Sequence, residues 1–203
     1  MTGAREPQQE RSRTTRRRLI EAALDSFGER GWHGVTVAGI AERAGVSRGA
    51  AQHHFPARED LVVAAVDLLG QSQIDELRAQ AADLPSGASR IEGVVEMVLN
   101  LYTGPLFRAA LQLWSVAATD DALRDVLVPL EARVGREAHR VTVELLAVDE
   151  SRPGVRELVQ ATLDLGRGLG LANLLTDDTR RRKQIVREWA RTLELRLAVT
   201  GSG

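Results

Sequence analysis

A short polar segment near the N-terminus carries the side chains best suited to chemistry in this chain. It begins with Gly-Val-Ser at residues 45–47, and Arg48, Gly49, Gln52 and His53 follow. If the segment is helical, these four residues point outward from its first two turns. An arginine at such a position can form a bidentate pair with a guanine edge in the DNA major groove, which admits an α-helix. The spacing therefore indicates hydrogen bonding to base edges.

The same segment matches the G-x-S-x-G pattern of a hydrolase nucleophile elbow, in Gly45-Val46-Ser47-Arg48-Gly49. That motif needs a strand before the serine, so that the hydroxyl projects at the edge of a sheet. Here the preceding residues have the periodicity of a helix, and Ser47 is interpreted as a helix cap. With no other catalytic constellation in the chain, the sequence predicts that the protein is not an enzyme.

Two further patterns resemble metal or phosphate sites. His53 and His54 are adjacent and point to different sides of a helix, and only His33 and His139 remain as histidine ligands. The glycine-rich run 166–170 lacks the spacing of a dinucleotide-binding loop and lies in an amphipathic stretch. Its first and last glycines are one helical turn apart, which indicates close approach of a neighbouring helix. No metal or cofactor is expected.

Two short helices joined by a tight turn must position the polar segment. The first helix has apolar residues at spacings of three and four, namely Val37, Ile40, Ala41 and Ala44. Thr36 and Ser47 can cap the two helices, and Gly45 can adopt the left-handed conformation of the turn. The pattern is typical of a helix-turn-helix.

Motifs on both sides of these helices make the pattern more specific. They are an amphipathic first helix, Gly31-Trp32, Thr36-Val37, Ile40-Ala41, Ala44-Gly45-Val46-Ser47, His54-Phe55-Pro56 and Arg58-Glu59-Asp60-Leu61. With this set, the chain from Thr15 to Leu69 resembles the TetR family of bacterial transcriptional repressors. Two positions depart from the family pattern: Ala51-Gln52 replaces the usual Leu-Tyr, and Trp32 replaces the usual Tyr or Phe.

The resemblance and the helix-turn-helix together predict contacts to double-stranded DNA. Arg48 is expected to read base edges, with Gly49 and His53 beside it on the outward face. Phosphate contacts are expected from residues at the helix caps and from basic or polar side chains nearby. These residues are Arg16, Thr36, Ser47, Gln52, His54 and Arg58.

Charge is distributed unevenly along an otherwise ordinary globular composition. The 203 residues are 43% hydrophobic and 27% charged, and the formal net charge is −1. Residues 1–58 hold ten arginines against six acidic residues, whereas the remainder has an acidic excess. Phosphate neutralisation by DNA-binding proteins requires a basic surface of this kind beside the reading helix.

Several classes of protein are excluded by what the sequence lacks. There is no cysteine, so disulfides and thiolate metal sites cannot form. Residues 1–9 lack the apolar core of a secretory signal, and charged residues interrupt every apolar stretch before it could span a bilayer. A cytoplasmic protein that does not contact membranes is expected.

Hydrophobic periodicity predicts an all-α fold of about nine helices, with no segment that alternates like a strand. We expect a disordered arm over 1–13 and a three-helix, helix-turn-helix DNA-binding domain over 14–57. A helical ligand-binding and dimerisation domain is expected over 58–203.

For the C-terminal domain, the resemblance implies a small-molecule pocket between the middle helices and a dimer interface on the last two. The candidate pocket residues are Met97, Leu101, Tyr102, Phe107, Leu111, Trp114, His139, Leu169 and Asn173. Few ionisable side chains accompany them, so a mostly apolar or aromatic organic ligand is expected. The helices within 155–197 would form a four-helix bundle with those of a second copy, and Gly170 would lie where the subunits come closest.

The sequence thus predicts a homodimeric repressor that binds a palindromic operator and is released by a small organic ligand. One alternative stays open: a helical dimeric scaffold or adaptor without DNA binding. It would account for the two C-terminal amphipathic helices, but not for a basic segment beside a capped helix-turn-helix.

Overall fold

The computed structural model describes residues 5–86 and 88–199, and this part of the chain contains nine α-helices, one 3-10 helix and no strand. The α-helices are α1 (Arg5–Arg30), α2 (Val37–Ala44), α3 (Arg48–His54), α4 (Arg58–Ala82), α5 (Ala88–Asn100), α6 (Pro105–Ala117), α7 (Asp121–Leu146), α8 (Val155–Ala172) and α9 (Thr179–Val199). The 3-10 helix, Leu101–Thr103, lies between α5 and α6. The predicted all-α class is confirmed. Among the described helices, none has both the length and the apolar character needed to cross a membrane.

Helix α1 begins earlier than the sequence predicts. The structure has helix from Arg5 where a disordered arm is expected over 1–13, and residues 1–4 lie outside the described part of the chain. Pro7 is compatible with this start, because the N–H groups of a first helical turn have no partner within the helix. The glutamine, glutamate and arginine residues that follow are good helix formers although they provide no apolar face.

The described residues form two compact units that do not follow the predicted boundary between residues 57 and 58. Unit 1 contains the chain up to Gly70 together with Leu111–Leu130, and unit 2 contains Gln71–Ala110 together with the chain from Glu131 onward. Helices α4, α6 and α7 contribute residues to both units. The two units are therefore defined by packing between segments that are distant in sequence. Hydrophobic periodicity, which is a local pattern, does not predict such packing.

Unit 1 has its core around the first four helices. Leu19 and Ile20 of α1, Ile40 of α2, Ala51 of α3 and Leu61 of α4 are each at most 1% exposed and belong to one apolar cluster. Each fully buried Leu or Ile contributes about 1.5–3 kcal/mol relative to an exposed position. This burial fixes α2 and α3 against α1, and it leaves the opposite face of α3 in solvent.

Unit 2 is centred on the apolar faces of α5, α8 and α9. Its cluster includes Leu99 of α5, Leu169 of α8 and Leu193 of α9. Gly166 and Gly170 of α8 are buried, and the predicted close approach of a neighbouring element is confirmed at both.

The neighbour of these glycines belongs to the same chain. A Cβ at Gly170 would collide with the carbonyl oxygen of Tyr102 and would lie 2.6 Å from Cε1 of Phe107. A Cβ at Gly166 would collide with the Tyr102 ring and would lie 3.0 Å from Cδ2 of Leu99. The expectation that Gly170 lies where two subunits come closest is therefore wrong, because the space beside it is filled from within.

Candidate nucleic-acid interface

Helices α2 and α3 form the predicted helix-turn-helix, with both caps in place. The Thr36 hydroxyl oxygen accepts a hydrogen bond from the Gly39 N–H at 3.1 Å. The Ser47 hydroxyl oxygen accepts one from the Ala50 N–H at 3.2 Å. Each hydroxyl keeps its own proton, and it can donate that proton to a phosphate that approaches the helix N-terminus.

The turn between the helices depends on Gly45. Its φ is +61°, in the left-handed region where a β-carbon is unfavourable. The Gly45 N–H donates to the carbonyl oxygens of Ala41 and Glu42 at the end of α2. This turn sets the angle at which α3 leaves α2.

One face of α3 is free to meet a ligand. Ala51 is fully buried and anchors the helix, whereas the residues predicted to face DNA are exposed. These are Arg48, Gly49, Gln52 and His53. A Cβ at Gly49 would meet no other atom within 4 Å, so another molecule can approach the backbone closely at this position.

Arg16 and His54 extend this face toward α1. The Arg16 guanidinium lies 5.4 Å from the centroid of the Phe55 ring, and the side chain is exposed. Partial burial, and then the charges of His53 and Arg16, lower the pKa of His54. The imidazole is therefore neutral at neutral pH, and the nitrogen that carries its proton can donate a hydrogen bond.

Arg58 is placed differently from the prediction. Its guanidinium lies 4.1 Å from the centroid of the Trp32 ring, and Nη1 donates to the Trp32 carbonyl oxygen at 3.3 Å. Nε donates to Glu59 at 3.2 Å. The side chain thus holds the start of α4 to the residues after α1 through a cation–π contact, and this geometry does not support a phosphate contact for Arg58.

Sequence reasoning missed an ion pair between α1 and α2. Two Arg43 nitrogens donate to the two Glu29 carboxylate oxygens at 2.5 and 2.7 Å, and Asp25 lies 3.6 Å from the guanidinium. The hydrogen bond from Arg43 lowers the pKa of Glu29. Arg43 is thereby engaged within the protein. The residues are 14 positions apart in sequence, so no helical periodicity would have paired them.

Comparison with known proteins matches this region and the whole fold. Residues 19–65 match the family model of the bacterial regulatory proteins of the tetR family. The chain is 29% identical over 191 residues to the transcriptional regulator CymR of Pseudomonas putida, an alignment that covers 91% of this chain and 92% of CymR. The chain belongs to the TetR family. As a TetR-family protein with a helix-turn-helix, it is a DNA-binding transcriptional regulator.

Solved structures show the same fold over most of this TetR-family chain. A transcriptional regulator from Pseudomonas aeruginosa PAO1 superposes with a TM-score of 0.61 at 25% identity, covering 94% of this chain and 92% of that one. A regulator from Saccharomonospora viridis, solved in complex with choline, superposes with a TM-score of 0.57 at 24% identity. That match covers 88% of this chain and 94% of the other.

The nine residues predicted to line a ligand pocket do not converge within either unit of the TetR-family chain. Leu111 and Trp114 belong to unit 1, where Trp114 packs against the apolar cluster that contains Trp32. The other seven belong to unit 2: Met97, Leu101, Tyr102, Phe107, His139, Leu169 and Asn173.

Within unit 2 these seven residues lie in several different surroundings. Tyr102 and Phe107 form an edge-to-face pair, with ring centroids 5.2 Å apart. Met97 and Leu101 line a groove of about 220 Å³ together with polar side chains of α4. His139 bonds to Glu150.

Asn173 and Leu169 complete the set, and each already has a packing or capping role. The Asn173 side-chain oxygen accepts a hydrogen bond from the Asp178 N–H at 3.3 Å. Leu169 is part of the core cluster of unit 2. Residue type and helical spacing alone do not separate core residues from those beside an open space.

Proposed function

We propose that the protein is a homodimeric repressor that binds a palindromic operator through α3 and is released by a small organic ligand. The exposed polar face of α3, fixed from behind by the buried Ala51, is the observation that carries this proposal. A recognition helix reads bases with its N-terminal residues, and in this chain that position is held by Arg48.

We propose that the residues around α3 differ in whether they contact DNA bases or phosphates. Arg48 forms a bidentate pair with guanine, and Gly49 allows the helix to lie close to the DNA. Gln52 and His53 lie along the same exposed face. Phosphates are held by the capping hydroxyls of Thr36 and Ser47 and by Arg16 and His54.

Replacing Arg48 by alanine is expected to lower operator affinity by about ten- to a hundredfold, because a bidentate arginine–guanine pair discriminates by about 1–3 kcal/mol. Affinity for unrelated DNA should change far less. The operator is first obtained by sequencing genomic fragments that the purified protein retains. Fluorescence anisotropy at one fixed salt concentration then measures both affinities.

Arg30→Ala is the matched control for this experiment, since Arg30 is exposed in the last turn of α1 and lies outside the proposed contacts. It removes the same charge and should leave sequence preference intact. Operator binding by Arg48→Ala that equals the parent would show that another residue reads the bases.

The ligand is proposed to bind in unit 2 beside Tyr102 and Phe107. Their rings fill the space over Gly166 and Gly170, so an apolar or aromatic ligand would bind by displacing a ring from that position. The fold relative from Saccharomonospora viridis, which was solved with choline, supports a small-molecule ligand in general.

Trp189 is the suitable fluorescent reporter for that ligand. The chain has three tryptophans; Trp32 and Trp114 belong to unit 1, and Trp189 belongs to unit 2, where its indole N–H donates to Thr162 at 2.9 Å. A compound that releases DNA should change the emission of the parent and of Trp114→Phe, but not that of Trp189→Phe. If instead the emission of Trp189→Phe changed and that of Trp114→Phe did not, the ligand would bind in unit 1.

The dimer is proposed to form on the outward stripe of α8 and α9, defined here by Gly168, Leu171 and Leu195. Leu171 is 57% exposed and Leu195 is 69% exposed, although the inward faces of both helices are packed. A Cβ at Gly168 would meet nothing within 4 Å, so a helix of a second copy can approach there. Two helices from each subunit then make a symmetric four-helix bundle.

A further inference from the structure

A groove in unit 2 has neither residue of the aromatic pair in its lining and is lined by charged side chains. It has a volume of about 340 Å³, which is the size of a site for a small metabolite. Helix α7, helix α8 and the loop between them form its walls. The polar lining residues are Arg136, His139, Arg140, Glu150, Arg156 and Gln160.

The three arginines of this groove differ in what already holds them. Arg140 is engaged by Glu137 at 2.5 and 2.9 Å and by Glu144 at 3.4 Å. Within the part of the chain that the structure describes, no hydrogen bond or ion pair holds Arg136. The Arg156 side chain is 68% exposed, and among the described residues its one ion-pair partner is Glu150, at 3.8 Å. Two guanidinium forks are thus available on opposite helices of the groove.

Glu150 shows which chemical group fits beside His139 and Arg156 in this groove. Its Oε2 atom lies 2.6 Å from Nε2 of His139 and 3.8 Å from Nη1 of Arg156. Because an ionised carboxylate can only accept, Nε2 of His139 is the donor in that bond. The His139 side chain is only 14% exposed. Its Nε2–H group therefore points to the position of the Glu150 carboxylate from a largely buried side of the groove.

The start of α8 adds a further attraction for negative charge. Arg156 is the second residue of that helix. The capping residue Gly154 has no side chain, and of the first N–H groups that of Val155 donates to the Arg152 carbonyl oxygen at 3.2 Å. An anion beside Arg156 therefore lies near the positive end of the α8 dipole.

We propose that this groove binds a small oxyanion, with a carboxylate or phosphate group in the position now held by the Glu150 carboxylate. His139 and Arg156 donate to that group, and Arg136 donates from the α7 side. Glu150 acts as an internal competitor, since its carboxylate occupies the same donors. Planar guanidinium forks match the geometry of carboxylate and phosphate oxygens. This site does not depend on the proposed repressor function.

Isothermal titration of the full-length protein with succinate and with inorganic phosphate tests the proposal. Sodium chloride keeps the ionic strength constant, so that general screening does not imitate binding. We expect that one of the two anions binds saturably and is displaced by the other. The anion with the lower Kd shows whether a carboxylate or a phosphate is the preferred group. If neither anion gives a saturable isotherm, the proposal is wrong.

Substitutions then locate the binding. Glu150→Gln keeps an acceptor for His139 but removes the competing charge, so it should tighten binding severalfold. Arg136→Ala and Arg156→Ala should each weaken it by about tenfold, the usual effect of losing one charge-assisted hydrogen bond. Both arginines are exposed, so the variants are expected to fold, and circular dichroism checks this.

Arg180→Ala is the matched control, because Arg180 is exposed on α9, in the same unit but outside the groove. It should bind the anion within about twofold of the parent. Equal losses in Arg180→Ala and Arg156→Ala would show a diffuse charge effect. Weaker binding by Glu150→Gln would overturn the role of Glu150 as a competitor.

Discussion

Leu171→Arg is expected to convert the proposed dimer into a monomer and to lower operator affinity by at least about a hundredfold. Leu171 lies on the proposed dimer stripe and is 57% exposed in the single chain. In a symmetric interface each copy would bring its own arginine into the contact surface, and both charges would be removed from water without a partner. A monomer could hold only one of two half-sites, which lie one helical turn, roughly 34 Å, or a multiple apart.

Sedimentation velocity at micromolar concentration measures the oligomeric state, and gel shift measures operator binding. Val128→Arg is the matched control: Val128 is also exposed, at 62%, but it lies on α7 and outside the stripe. It should remain dimeric. Leu171→Arg should still bind a single half-site weakly, which distinguishes a folded monomer from an unfolded chain. A parent protein that is monomeric at this concentration would refute the dimer itself.

The helix-turn-helix could be predicted from sequence because its signals are local. Thr36 and Ser47 each accept a hydrogen bond from an N–H three residues later, and Gly45 needs only its own backbone freedom. Such signals act within one helical turn and depend only on the type of residue at each position. The outward residues of α3 follow from the same periodicity once Ala51 is taken as buried.

Contacts between distant segments could not be read in the same way. Arg58 reads as a free cation in the sequence, but it lies on Trp32, 26 residues earlier. The sequence shows that Trp32 replaces the usual Tyr or Phe, but it does not show that the guanidinium of Arg58 packs on the Trp32 ring. The charge of Arg58 therefore stabilises the fold of unit 1 and is not left for the phosphates.

The ligand residues show the same limit more strongly. An apolar side chain on a helix satisfies the same pattern whether it faces a neighbour or an open space. Leu169 lies in the core cluster, whereas Met97 lines a groove with polar residues. What decides between them is the presence or absence of an opposing segment, and that segment lies far away in the chain.

Gly170→Ala is expected to lower the free energy of unfolding by about 2–3 kcal/mol, the upper part of the range for an overpacked site. The added methyl would meet the carbonyl oxygen of Tyr102, which is backbone, as well as the Phe107 ring. A flexible side chain could move aside, but the Tyr102 carbonyl can yield only if the 3-10 helix shifts. The gain in helix propensity, about 1 kcal/mol, does not compensate for that movement.

Gly70→Ala tests the same chemical change without the obstacle. Gly70 lies inside α4, and a Cβ there would meet nothing within 4 Å. Its unfolding free energy should rise by up to about 1 kcal/mol, so the two variants are expected to change stability in opposite directions. Urea unfolding followed by circular dichroism, at one protein concentration, measures both. Gly170→Ala as stable as the parent would mean that the 3-10 helix moves away from α8 at little cost, and the close packing of Tyr102 on Gly170 would then not be a constraint on the fold.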